Sequence, residues 1–116
     1  MNAFKLSLRD QTDLVGFLRD LIQTPSPSTQ EKAVGERIAA EMKRLDFRNV
    51  YIDRIGNVVG WIGPGKGPLL MFNGHMDTVR VSDPEAWSRK PFGAEIVDGV
   101  LYGCLLYTSP SPRDRS

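Results

Sequence analysis

His75 is the only histidine of the chain, and Asp77 lies two residues beyond it in the run Asn73-Gly74-His75-Met76-Asp77-Thr78-Val79. Neutral imidazole is a good zinc ligand, and a ligating histidine commonly donates its other ring proton to a carboxylate that fixes tautomer and orientation. At a strand end, residues two apart start from the same side, so Asp77 could orient the imidazole or act on a neighbouring ligand. Water coordinated to zinc reaches a pKa of roughly 7, which supplies hydroxide at neutral pH for attack on an amide carbonyl. A lone imidazole beside a carboxylate is, however, more often a structural loop pair than a ligand. Its surroundings must decide.

The elements that would position this pair can be read from periodicity. From Ser7 to Gln23, Leu14, Phe17, Leu18 and Leu21, flanked by Leu8, Val15 and Ile22, recur at three- and four-residue intervals, which predicts one amphipathic helix. Thr24-Pro25-Ser26-Pro27 stops it. Ser28 followed by Glu31 reads as a capping box that opens a second helix, whose stripe of Val34, Ile38, Met42 and Leu45 carries it to about Leu45, with the charged residues on a wet face. Val50-Tyr51-Ile52 and Asn57 to Ile62 are short strand candidates, and Pro64 to Pro68 reads as a tight hairpin turn rather than a phosphate cradle. Leu69-Leu70-Met71-Phe72 is the most continuous apolar run and predicts a strand covered on both faces. Glu95 to Val97 and Val100 to Tyr102 flank Asp98-Gly99, a strong hairpin signal. The expectation is an α/β fold: two helices packed on a partial mixed sheet, with the His75 loop at the carboxyl end of its most buried strand. Trp61 and Trp87 read as packing residues, and Asp83, Glu85 and Asp98 as solvated loop carboxylates.

Composition narrows the function classes. With 41% hydrophobic and 25% charged residues, and a formal net charge of +1 spread over interleaved signs, the chain has no electrostatic footprint for nucleic acid or an anionic membrane. Its apolar stretches fall far short of the roughly 20 residues of a membrane helix, and its start lacks a secretory pattern, so a cytoplasmic location and small-molecule or peptide partners are expected. The one cysteine, Cys104, excludes an internal disulfide and a multi-cysteine zinc site.

Five blocks in order carry a family resemblance: Leu21-Ile22-Gln23-Thr24-Pro25-Ser26; Gly56-Asn57-Val58-Val59-Gly60; Gly74-His75-Met76-Asp77-Thr78-Val79; Trp87 with Pro91-Phe92; and Asp98-Gly99-Val100-Leu101-Tyr102-Gly103. Over about residues 8 to 103 the chain resembles the N-terminal part of the acetylornithine deacetylase and succinyl-diaminopimelate desuccinylase family of zinc metallopeptidases, also called the aminoacylase or glutamate carboxypeptidase family. The stretch from Trp87 to Gly103 looks most like a deacetylase-like branch that includes hydrolases linked to selenium metabolism. The resemblance implies that His75 is the first zinc ligand and that Asp77 orients the metal site. It also implies two zinc ions, with cobalt as a substitute, an N-acyl amino acid or small peptide substrate, and a homodimeric parent enzyme.

In that family Leu-Tyr-Gly continues with Arg-Gly, a small residue, a variable one and then a bridging aspartate, followed further on by a Glu-Glu pair, another carboxylate and a second histidine. Here Cys104 stands in place of the arginine, and the chain has no Glu-Glu dipeptide. Two zinc ions roughly 3.5 to 4 Å apart need more donors than one imidazole and one carboxylate, so the polypeptide as given is expected to be inactive, with uncovered sheet edges prone to aggregate. Residues 104 to 114 are similar to the in-frame translation of a transposase-based sequencing adapter. The expected organisation is therefore residues 1–103 as the N-terminal part of a zinc-hydrolase catalytic domain and 104–116 as a non-native, disordered tail. Without that tail the chain is formally neutral and lacks cysteine. Two rival readings are a ligand-binding α/β module without metal and a nucleotide-binding domain; the second requires a glycine-rich strand-to-helix turn that is not present.

Overall fold

A computed structural model describes residues 5–78, 90 and 92–103. These fall into two compact units, Pro25–Arg80 on the one hand and Met1–Thr24 with Val81–Ser116 on the other. No helix among the described residues is long and apolar enough to cross a membrane.

In the unit Pro25–Arg80, helix α2 (Lys32–Arg44) packs on a two-stranded antiparallel sheet of β1 (Arg48–Ile52) and β2 (Val58–Trp61). Its start differs from the capping-box expectation. Pro27 accepts the Gln30 N–H in a turn, Glu31 is the N-cap without a side-chain cap bond, and the Glu31 carboxylate reaches back only to the Thr29 N–H. The Ser28 hydroxyl is engaged elsewhere. The helix ends as its stripe predicts. Asp46 takes a left-handed φ of 62°, its N–H bonds to the Lys43 carbonyl, and the Phe47 N–H reaches back to the Met42 carbonyl, which satisfies the last turn's free acceptors.

Val34 and Ala39 form the buried side of α2. Across from it, β2 carries Gly60, where a Cβ would lie 2.8 Å from the Met42 sulfur and 3.0 Å from Phe47 Cδ2, so absence of a side chain is what lets helix and strand approach. The two strands are joined through Asp53, whose carboxylate accepts the Ile55 and Asn57 N–H groups and the Asn57 side-chain amide. Those bonds, the Asn57 side chain first, hold the Asp53 carboxyl below its ordinary range. Trp61 on β2 stays 41% exposed, so its packing is partial.

The wet-face expectation also fails at one position. Glu41 is buried, and its carboxylate meets Arg44 Nη2 at 2.6 Å and Arg37 Nη1 at 3.1 Å. The Arg44 bond is the main cause of a carboxyl held below its ordinary range.

The largest departure concerns residues 69–72. They form no strand and stand 75% to 86% exposed, because no described strand pairs with them and no described layer covers them. Pro64 to Pro68 consequently makes bends, with Gly65 and Gly67 at positive φ, and no hairpin. The sheet is therefore not one mixed layer: the described strands make two separate antiparallel pairs.

The second unit holds α1 (Leu8–Gln23), capped by the Ser7 side chain accepting the Asp10 N–H, and the hairpin of β3 (Ile96–Val97) with β4 (Val100–Leu101). Asp98 and Gly99 turn it with φ of 52° and 78°, as the Asp-Gly signal predicts. Arg19 and Gln23 of α1 donate to the Ala94 and Gly93 carbonyls at 3.0 and 3.2 Å. Ile22, 2% exposed, lies against Gly103, where a Cβ would come within 2.6 Å of its Cγ2. Only glycine fits after Leu101-Tyr102. Trp87, Pro91, Asp83, Glu85 and residues 104–116, for which an adapter-like, disordered tail was expected, lie outside the described residues.

Candidate functional site: the His75 loop and its clasp

The His75 loop is not the continuation of a strand, yet it is held. Residues 76–78 run alongside residues 26–28 in a short parallel bridge between Pro27 and Thr78. The Thr78 N–H donates to the Ser26 carbonyl at 2.8 Å, and the Ser26 hydroxyl, 1% exposed as a residue, donates to the Met76 carbonyl at 2.9 Å. Two prolines explain why this segment is available. Pro25 and Pro27 cannot donate to a helix, which leaves the chain between α1 and α2 extended and able to pair.

On this clasp the two predicted site residues come together. His75 Nδ1 lies 2.9 Å from the Asp77 carbonyl oxygen and 3.1 Å from Asp77 Oδ1. Both are acceptors only, so Nδ1 carries the proton and Nε2 is the nitrogen left for a ligand. The ring is 65% exposed, which leaves that nitrogen accessible. Asp77 in turn uses its other oxygen: Oδ2 accepts the Ser28 hydroxyl at 2.5 Å. The Ser28 hydroxyl, outweighing partial desolvation, and then the neighbouring His75 hold the Asp77 carboxyl below the ordinary carboxylate range. It is an anion at neutral pH.

The donor set allows a partial fit to zinc. A neutral imidazole whose Nδ1–H is tied to a carboxylate is the arrangement that zinc-ligating histidines show. Among the described residues, however, no group of three or more His, Cys, Asp or Glu side chains gathers to hold an ion. His75 offers one accessible ring nitrogen, and Asp77 is occupied on both oxygens, by His75 and by Ser28. Ser26 and Ser28 were not singled out as site residues by spacing. Thr24-Pro25-Ser26 read as a helix stop and Ser28 as a cap; the usable clue was two hydroxyls two residues apart in a proline-flanked extended stretch.

Succinyl-diaminopimelate desuccinylase of Rhodospirillum centenum is 36% identical over 98 residues, covering 78% of this chain and 25% of that protein. The enzyme of the same name from Cereibacter sphaeroides is 37% identical over 94 residues, with the same two coverages. The chain is similar to succinyl-diaminopimelate desuccinylases. Protein YgeY of Escherichia coli K12, itself uncharacterised, is 38% identical over 104 residues, covering 86% of this chain and 26% of its own length. The chain spans about a quarter of the length of the curated relatives it matches. No family model matches the chain, and no solved structure matches it significantly.

Proposed function

We propose that this chain is the N-terminal part of a zinc-dependent amidohydrolase that cleaves N-acyl amino acids or small peptides carrying a free carboxylate. The observation that carries the reading is the His75–Asp77–Ser28 arrangement, an imidazole tied at Nδ1 with Nε2 left accessible, within a Gly-His-Met-Asp-Thr block and in a chain similar to desuccinylases. In this reading His75 is a metal ligand through Nε2, and Asp77 fixes its tautomer and strengthens it as a donor. Zinc held there would supply Lewis acidity, polarising the scissile carbonyl and acidifying water. The other ligands and the general base come from residues outside those described, and the 116-residue chain alone turns over no substrate.

The test is hydrolysis of N-acetyl and N-succinyl amino acids by the longer protein, before chelation, after it, and after zinc is returned. Loss on chelation with recovery on zinc supports the proposal. Absence of both zinc uptake and turnover in the longer protein removes it and leaves a ligand-binding module.

A further inference from the structure

We propose that Ser28 is a positioning residue for His75: by holding one oxygen of Asp77, it aims the other at Nδ1 and keeps the imidazole in the Nδ1–H form with Nε2 free. The inference deepens the reading of His75 as a ligand and rests on it for its functional meaning, though not for its geometry.

A carboxylate in an exposed loop can turn about its terminal bond, so one hydrogen bond to histidine does not fix it. Asp77 is only half-buried, with its side chain 41% exposed, so burial alone does not hold it still. What it has is a second bond, from the Ser28 hydroxyl to Oδ2 at 2.5 Å, on the oxygen opposite the one that faces the ring. Ser28 itself is placed by the Pro27–Gln30 turn and by the Pro27–Thr78 bridge one residue before it, so its hydroxyl is anchored by backbone and not by another mobile side chain. The helix-capping job that its position before Glu31 would allow is left undone. Ser28 gives its hydroxyl to Asp77 across 49 residues of sequence. The result is a chain of three groups in which the outermost sets the proton position on the innermost.

The single histidine makes the test direct, because the ring nitrogen resonances of the 116-residue chain need no assignment by mutation. Long-range ¹H–¹⁵N spectra at neutral pH, without metal, give the ratio of the Nδ1–H to the Nε2–H form in the wild type, Ser28→Ala, Ser28→Thr, Asp77→Ala and Ser28→Ala/Asp77→Ala chains. The expected ratio falls by roughly five-fold in Ser28→Ala, the equivalent of one net hydrogen bond, and returns in Ser28→Thr. In the Asp77→Ala background, Ser28→Ala changes nothing, since its route to the ring is already gone. An unchanged ratio in Ser28→Ala, no recovery in Ser28→Thr, or an equal effect with Asp77 absent overturns the proposal; the last is what a merely structural role produces. Because no zinc is present, failure here is separable from failure of the hydrolase reading, which zinc uptake and turnover decide.

Discussion

Replacing Ser26 with alanine removes one bond of the clasp and leaves the other in place, which makes it a measured probe of how the His75 loop is held. The hydroxyl donates to the Met76 carbonyl at 2.9 Å from a residue that is 1% exposed, so water is poorly placed to substitute for it. A net hydrogen bond contributes about 0.5–1.5 kcal/mol, and a half-buried carbonyl left short of a donor adds to that, so local opening should become easier by about 1–2 kcal/mol. No cavity penalty of consequence follows from loss of a single oxygen. The assay is amide hydrogen exchange at Thr78, whose N–H is bonded to the Ser26 carbonyl at 2.8 Å. Protection at Thr78 should fall by roughly 5- to 30-fold, while Gly35, bonded to the Glu31 carbonyl within α2, keeps its protection. Unchanged exchange at Thr78 would refute the clasp as a load on this loop, and an equal drop at Gly35 would show a global effect instead.

Glu41→Gln should cost about 1–2 kcal/mol in urea unfolding at neutral pH, less than a fully buried pair because Arg37 and Arg44 are 31% and 49% exposed and can be resolvated. The Glu41 carboxyl is held low in the fold, so its contribution is complete above the ordinary carboxylate pKa and disappears as pH falls through the depressed folded value; the difference between wild type and Glu41→Gln should shrink in acid, and a difference constant from pH 7 to pH 3 contradicts it. Gly103→Ala should destabilise by about 1–3 kcal/mol through overlap with Ile22, and adding Ile22→Ala should recover part of that; strict additivity in urea melts counts against the contact. Leu70→Lys should change stability by no more than about 0.5 kcal/mol, because Leu70 is 76% exposed, and a loss of 2 kcal/mol or more in the same melts would mean that the run is covered in solution.

Local features of the fold were legible in the sequence because their causes are local. Ser7 caps a helix three residues away from its partner, and Asp98-Gly99 turns a hairpin that needs only the left-handed φ of two adjacent residues. The end of α2 followed from its apolar stripe, even though Asp46 fills a position usually given to glycine. Its beginning was misread, since the Ser28-x-x-Glu31 pattern satisfies the local rule for a cap while the hydroxyl finds an anionic partner 49 residues on. The stretch Leu69 to Phe72 shows a related limit: apolar content states that a segment suits burial, whereas coverage depends on neighbours that the segment does not specify. At the site, His75 and Asp77 were found by a two-residue spacing that is itself the contact. Ser26 and Ser28 reach that loop through a parallel bridge, a non-local pairing on which the local pattern is silent.

In the proposed function His75 Nε2 takes a divalent cation. This is tested most directly by counting zinc bound per chain in the proposed longer protein with and without His75→Ala, after dialysis against trace metal at neutral pH. The variant should bind fewer equivalents than the wild type and lose hydrolysis of N-acyl amino acids with them. Equal zinc content and equal turnover in the two proteins would contradict it.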